Sequence, residues 1–346
     1  MASAEQLRAL EIIQREGWNG TSFQTLNEGF RYHFTADGVV AYVDTGSAWV
    51  APGAPIAPRE RLAEVADDFR RAAAAAGRDV CFFAATSRFV DAAPEWRPLL
   101  VGEQPLFSPR TWVDRFDRTR SIASQVRRAE AKGVAIRRVS ADELAPGTPL
   151  RAAVDAVFAS WIATRRLAPM GFLVDLQPFA FSEERRTLVA ERNGEVVAVL
   201  VAAPIYARRG LLVDFLARRH DAPNGTVEAL VDAVMREADH EGLEIVTLGM
   251  APLAGVGSRR LRFARWVSRP LYDFAGLHAF RQKLRPDAWE PLYLVVPPGS
   301  GRWGALLESL RAFARGSLVG FAAASARHLA RRWLARHAPA LPQSTG

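Results

Sequence analysis

Apolar positions along the chain fall into two segments built to one plan. The first begins with "VVAYVDTGSAWVAPG", two short apolar runs about a turn. It continues through the amphipathic "RERLAEVADDFRRAAAAAG" and closes on the apolar "DVCFFAA". The second begins with "TLVAERNGEVVAVLVAAPIYARRGLLVDFL", in which Asn193-Gly194 forms a two-residue turn, and passes through "GTVEALVDAVMREADHEG" to "EIVTLGM". Both predict hairpin, helix, strand. Between them, "FDRTRSIASQVRRAEAKGVAIRRV" predicts an arginine-studded helix leading into a strand at Val134 to Val139, and "LRAAVDAVFASWIATRR" a further helix.

Antiparallel strands followed by a helix that returns another strand to the same sheet is the core order of the Gcn5-related N-acetyltransferase fold. Two copies predict a tandem α/β (α+β) protein, each domain a mixed, largely antiparallel sheet flanked by helices. The expected divisions are an N-terminal domain over 1–115, a basic helix and strand over 116–145, a catalytic domain over 146–300 and a basic amphipathic tail over 301–346. A chain of 346 residues, 49% of them hydrophobic, has material for two cores.

Charge changes this picture more than length does. The net charge is +8, carried almost entirely by arginine, and the pI is near 10.4. Such a surface attracts polyanions, either nucleic acid or anionic lipid headgroups. A genome that writes Arg for Lys explains the arginine preference but not the excess of positive charge. The single cysteine, Cys81, sits in an apolar run and excludes a disulfide framework, which points to a reducing cytoplasm. No apolar run reaches the ~20 residues that span a bilayer, so contact with the inner face of the cell membrane would be peripheral. No Cys/His cluster has metal spacing and no Gly-x-Ser-x-Gly elbow is present, so neither a metal nor a covalent intermediate is expected.

An acetyltransferase fold suggests acyl-CoA, whose pyrophosphate is held by a glycine-rich loop at a helix N-terminus. Here the corresponding "ARRHDAPNGT" has one glycine, Gly225, preceded by Pro223. The cradle is missing, although Arg218, Arg219 and His220 crowd the helix start and Asn224 could cap it.

The stretches "DFLARRHDAPNGTVEALVDAVM", "LGMAPLAGVG" and "YDFAGLHAFRQKLRPDAWEPLYL", in this order and spacing, resemble the C-terminal catalytic region of the aminoacyl-phosphatidylglycerol synthases, the lysyl- and alanyl-phosphatidylglycerol transferases. The resemblance extends more loosely over residues 35 to 296. It implies an acetyltransferase-like tandem that moves an aminoacyl group from tRNA to a hydroxyl of an anionic lipid at the membrane surface. Aminoacyl-tRNA would be the co-substrate, with no cofactor. In most members of the family this region follows a polytopic membrane domain.

Such a transfer exchanges one ester for another and needs no energy coupling. It needs aligned reactants, removal of a hydroxyl proton and stabilisation of a tetrahedral oxyanion. The family's acidic position falls on Asp214, at the end of an apolar strand, where a carboxylate would hold the aminoacyl ammonium; a surface carboxylate or the partner of a nearby arginine would look the same in sequence. The family's two basic positions fall on Lys283 and Arg281, suited to phosphate or to the oxyanion, with a solvated basic face as the alternative. Both substitutions Asp214→Ala and Lys283→Ala are expected to stop transfer without changing the melting temperature.

Gly249 and the neighbouring Met250 and Gly255 sit in a loop whose amides either approach the reacting centre or merely turn the chain. Asp273, His278 and Glu290 complete the substrate-binding candidates; His278 is a general base or a structural ring beside aromatics. Arg120, Arg127, Arg128 and Lys132 on the basic helix would meet tRNA phosphates.

Members of the family with known activity usually read Asp-Leu-Met-Arg where this chain reads Asp214-Phe215-Leu216-Ala217, with Arg218 and Arg219 one and two positions later. The segment "GEQPLFSPRTW" also departs from the family's acidic motif. An N-acyltransferase using a thioester and a non-catalytic tRNA- or membrane-binding module are the alternatives to aminoacyl transfer. In the tail, Leu306, Leu310, Phe313, Leu329 and Trp333 recur at helical spacing among Arg311, Arg315, Arg327, Arg331, Arg332 and Arg336. That pattern predicts helices lying on anionic lipid, or a helix packed on the second domain.

Overall fold

The first helix, α1 (Ala4–Glu16), starts at a reciprocal cap: the Gln6 amide donates to Ser3 Oγ at 3.2 Å and the Ser3 amide to Gln6 Oε1 at 2.8 Å. The computed structural model describes residues 2–164, 171–252, 274–317, 320–325 and 327; Gly255, Asp273, Leu329, Arg331, Arg332, Trp333 and Arg336 lie outside them. After α1 come β1 (Arg31–Phe34), β2 (Val39–Asp44), β3 (Ala48–Pro52), α2 (Leu62–Ala75), β4 (Asp79–Ala85), α3 (Ser87–Ala92) and β5 (Arg97–Phe107). Next are α4 (Pro109–Arg118), α5 (Arg120–Ala131), β6 (Val134–Val139), α6 (Pro149–Ala163), β7 (Arg186–Arg192), β8 (Glu195–Ile205) and β9 (Gly210–Arg218). The chain continues through α7 (Thr226–His240), β10 (Ile245–Thr247), β11 (Ala251–Pro252), α8 (Phe274–Lys283), β12 (Ala288–Val296) and α9 (Arg302–Phe313).

The repeated plan is present in three dimensions. In the first half β2 and β3 are antiparallel and α2 carries the chain to β4, parallel to β3. In the second, β7, β8 and β9 are antiparallel and α7 carries the chain to β10, parallel to β9. Asn193 and Gly194 both have positive φ (52° and 80°), the geometry a two-residue hairpin turn requires.

Among the described residues twelve strands join in one sheet, ordered β1-β2-β3-β4-β12-β5-β10-β9-β8-β7-β6, with β11 paired to β5 off that path. The strand at 288–296, counted with residues 146–300 in the sequence reading, enters the sheet of the first half. Leu294 faces Phe83 of β4 on one side and Leu99 of β5 on the other. The halves meet where β5 pairs with β10, Val246 opposite Phe107 and Thr247 opposite Leu106.

Helices cover both faces. Leu62 and Phe69 of α2 are fully buried against Phe82 of β4; each such side chain contributes about 1.5–3 kcal/mol relative to exposure. Trp112, Ile122, Val126 and Leu230 of α4, α5 and α7 cover one face of the second half, and Val154, Val157 and Phe158 of α6 the other. Helix α9 packs on the first half, with Ala305, Leu306, Ala312 and Phe313 against a cluster that includes Val50, Cys81, Phe83 and Leu294. The Phe313 ring meets Phe83 edge-on at 5.3 Å and Phe172 at 5.1 Å. No helix among the described residues is long and apolar enough to cross a membrane.

Candidate functional site

The site lies where the parallel pair β9 and β10 separates. The two are hydrogen-bonded over Gly210–Leu212 and Ile245–Thr247. Beyond that, β9 runs on to Arg218 beside β8 alone, while the other chain turns at Gly249 (φ 70°) into β11. Within β9 the register against β8 slips: Val201 faces Phe215 and Ala202 faces Val213, leaving Asp214 as the extra residue of a bulge. A bulge bends its strand and re-aims the side chains that follow. Leu211 and Val213 accordingly join the core under α7, and Phe215 and Ala217 the opposite core under α6.

A cavity of about 540 Å³ occupies this opening. Its walls are Val213, Asp214, Leu216 and Arg218 of β9, Leu248, the start of α7 (Asn224, Gly225, Val227, Glu228), Gln125 of α5, and Phe280, Arg281 and Lys283 of α8. Gly225 sets the approach of α7 to α5. It has φ 97°, and a Cβ there would stand 1.9 Å from the Gln125 carbonyl oxygen. The first-turn amides of α7 have no partner within the helix and its dipole favours anions at this end.

The charged walls are arranged unequally. Lys283 Nζ lies 2.9 Å from Glu228 Oε1, with the lysine side chain 37% exposed. Arg281 is buried and donates from Nη2 to the Leu248 carbonyl. Leu284 is fully buried and Phe280, four residues earlier, packs on the same core. Arg218 is exposed and reaches the Ala222 carbonyl at 3.4 Å.

Asp214 is held from behind. Its Oδ2 accepts from Arg185 Nη1 at 2.7 Å and its Oδ1 from Gln24 Nε2 at 2.6 Å, and the Arg185 and Asp214 side chains are 1% and 3% exposed. Arg185 further donates to the Ala180 carbonyl (2.8 Å) and to Asn27 Oδ1 (3.3 Å) and lies 5.0 Å from the Phe23 ring centre. The carboxylate therefore ties the first 30 residues to β9. Its place is inside, paired with an arginine, rather than at an open strand end.

The remaining candidates stand apart from the cavity. Arg219 is paired with Asp221 (2.8 Å) and Glu195 (3.1 Å), and its neighbour His220 is exposed. The Gly249 amide donates to Thr247 Oγ1 at 3.2 Å, and Met250 packs on the core beneath α9. His278 stacks on Trp289 at 4.8 Å with Nε2 3.3 Å from Glu103 Oε1. Glu290 pairs with Arg208 (3.0 Å) and accepts from Gln104 Nε2 at 2.6 Å. Arg120, Arg127 and Arg128 of α5 and Lys132 just after it are exposed, and none of them is in an ion pair among the described residues. Arg128, three residues beyond Gln125, shares the face that reaches the cavity. Arg185, Gln24, Glu228 and Gln125 were missed in sequence; only Glu228, an acid in a first helical turn, carried a local signal.

Fold and cavity together define a mixed α/β protein of two hairpin–helix–strand units in one sheet, whose second unit opens a cavity with Arg218, Arg281 and Lys283 on its walls where its parallel strands part. The family model for the C-terminal region of phosphatidylglycerol lysyltransferases matches residues 10–296, and the chain belongs to that family. It is 38% identical to a phosphatidylglycerol lysyltransferase of Bacillus subtilis over 111 residues, 30% of this chain and 13% of that protein. Against one from Staphylococcus xylosus it is 21% identical over 288 residues, 80% of this chain and 33% of the relative. The chain thus spans a third or less of these relatives. In fold it matches the C-terminal domain of a putative lysylphosphatidylglycerol synthetase from Agrobacterium fabrum (TM-score 0.77, 22% identity, 92% of this chain and 99% of that one). L-PGS of Bacillus licheniformis gives a TM-score of 0.75 at 21% identity, covering 91% and 97%.

Proposed function

We propose that this chain transfers an aminoacyl group, of lysyl or alanyl type, from aminoacyl-tRNA to a hydroxyl of phosphatidylglycerol, working at the surface of an anionic membrane. The observation that carries the reading is the convergence of Lys283, Arg281 and Arg218 on one cavity beside the opened strands of a chain in this family. The lipid hydroxyl oxygen attacks the ester carbonyl, its proton leaves, and the tetrahedral intermediate collapses with release of the tRNA terminal hydroxyl, which takes up a proton. One C–O bond forms and one breaks.

Lys283 is exposed enough to swing from Glu228 to a phosphate or to the oxyanion, while buried Arg281 supplies fixed positive charge behind it. Asp214 acts as a positioning residue: both its oxygens are occupied, and its pair with Arg185 fixes the bulge that shapes the wall. The exposed cations that follow one another along α5, of which Arg128 shares the face of Gln125, meet tRNA phosphates.

The test is incubation of the purified chain with tRNAs charged with radiolabelled amino acids over phosphatidylglycerol vesicles, followed by lipid extraction. Label is expected in the lipid with phosphatidylglycerol and not with phosphatidylcholine. Label that stays in the aqueous phase with every charged tRNA overturns the proposal.

A further inference from the structure

Among the described residues the large hydrophobic side chains that remain exposed are Leu7, Val174, Trp303, Leu307 and Leu310. Three of them are on α9, at positions i, i+4 and i+7, and so form one stripe along the helix. They are 43%, 41% and 50% exposed, although Leu306, Ala312 and Phe313 of the same helix are packed on the sheet. The helix is therefore apolar on two sides, and the outward stripe is not the Leu306–Leu310–Phe313 set that the sequence spacing suggests. Val174 (47% exposed) adds a fourth side chain at the helix end, where the Gly171 amide donates to the Phe313 carbonyl at 2.9 Å.

The acids near the stripe are each tied to an arginine, Glu308 to Arg311 and Asp175 to Arg315 at 2.6 Å, and the sequence beyond Glu308 adds only positive charge. Glu308, the single acid of α9, is turned into the body: Oε2 accepts from Thr45 Oγ1 and Ser47 Oγ (2.8 Å), and Oε1 pairs with Arg311. From Ser309 to the end of the chain there is no Asp or Glu, while arginines recur. Arg315, 61% exposed, and Arg327 stand beyond the helix end.

We propose that the outer face of α9 is a membrane-docking surface, inserting Trp303, Leu307 and Leu310 among the headgroups of an anionic bilayer with the flanking arginines on the lipid phosphates. An amphipathic aromatic at the interface, aliphatic side chains beneath it and cations around them are what such a layer accommodates. The inference rests on the reading of the chain as an enzyme of lipid and adds the surface by which it reaches its acceptor.

The experiment is sedimentation of the full chain with vesicles of phosphatidylglycerol and of phosphatidylcholine, comparing wild type with W303S/L307Q/L310Q and with Leu310→Asp alone. Each preparation is checked by thermal melting and for oligomeric state. The wild type should sediment with phosphatidylglycerol and much less with phosphatidylcholine. The triple variant should lose about a hundredfold in partitioning, and Leu310→Asp a smaller factor, with melting unchanged. Both variants should still aminoacylate a water-soluble short-chain phosphatidylglycerol at the wild-type rate.

Folded variants that sediment like the wild type, or a wild type that ignores the vesicles, overturn the docking surface. So does a wild-type dimer that the substitutions separate, since the occupant would then be a second copy. Vesicle binding that the substitutions abolish, with no transfer to any acceptor by the wild type, would instead leave docking standing and remove the proposed reaction.

Discussion

Removing Asp214 should unfold part of what the sequence reading expects it to leave intact. Its side chain and that of Arg185 are 3% and 1% exposed and 2.7 Å apart, and the remaining lone pairs and protons go to Gln24, Asn27 and the Ala180 carbonyl. Asp214→Ala leaves the buried Arg185 guanidinium without its carboxylate. Breaking one side of such a pair costs about 3–5 kcal/mol. That is a large share of the roughly 5–15 kcal/mol that holds a domain folded. Arg185→Met strands the carboxylate and should cost a similar amount. Replacing both residues by apolar ones removes the unpaired charge, so the double variant should be more stable than the sum of the two losses implies. Equilibrium urea unfolding of the four proteins measures this directly. An Asp214→Ala protein within about 0.5 kcal/mol of wild type, the usual scatter of neutral surface substitutions, would refute the reasoning.

Three further outcomes follow from single contacts. Gly225→Ala places a Cβ 1.9 Å from the Gln125 carbonyl oxygen at φ 97°, so it should destabilise by more than about 1 kcal/mol in urea unfolding; an unchanged midpoint would show that α5 and α7 are not pressed together there. Burial pushes the Cys81 thiol up to about 12, so a disulfide reagent at pH 8 should label it only after unfolding, and labelling of the native protein at the rate of a free thiol would contradict its place under α9. Binding of tRNA should weaken steeply with salt, and Arg127→Gln with Arg128→Gln should lower the slope of log K against log salt by about 0.7–0.9 for each lost phosphate contact; an unaltered slope in filter binding removes α5 from the tRNA surface.

Much of the fold could be read because its signals are local. The Asn193-Gly194 turn, the two hairpin–helix–strand successions and the basic helix before Val134 are all set by neighbours in sequence, and all are present. The insertion of β12 between β4 and β5 is set by pairing across some 200 residues, which leaves no periodic trace in "AWEPLYLVV". In the site, Lys283 and Arg281 were legible through their motif and do face one cavity. Arg185 was not, because an arginine in "SEERRTLV" shows nothing of the buried carboxylate it will meet. Helix α9 shows the same limit in another form. Leu306 and Leu310 lie at one helical spacing, yet one faces the sheet and the other faces water, since the sequence gives the stripe but not its partner.

The claim that Lys283 works at the reacting centre is met most directly by a single-turnover experiment. Enzyme loaded with aminoacyl-tRNA is mixed with phosphatidylglycerol, and the rate of ester transfer is followed for wild type and Lys283→Met. Lys283 is 37% exposed but its partner Glu228 only 12%, so losing the pair should cost about 1–3 kcal/mol of folding, and the variant should unfold at a somewhat lower urea concentration while staying folded under assay conditions. Its transfer rate should fall by about 100- to 1000-fold, the loss of one donor to a developing oxyanion. A folded Lys283→Met enzyme that transfers within a few-fold of wild type would contradict the account.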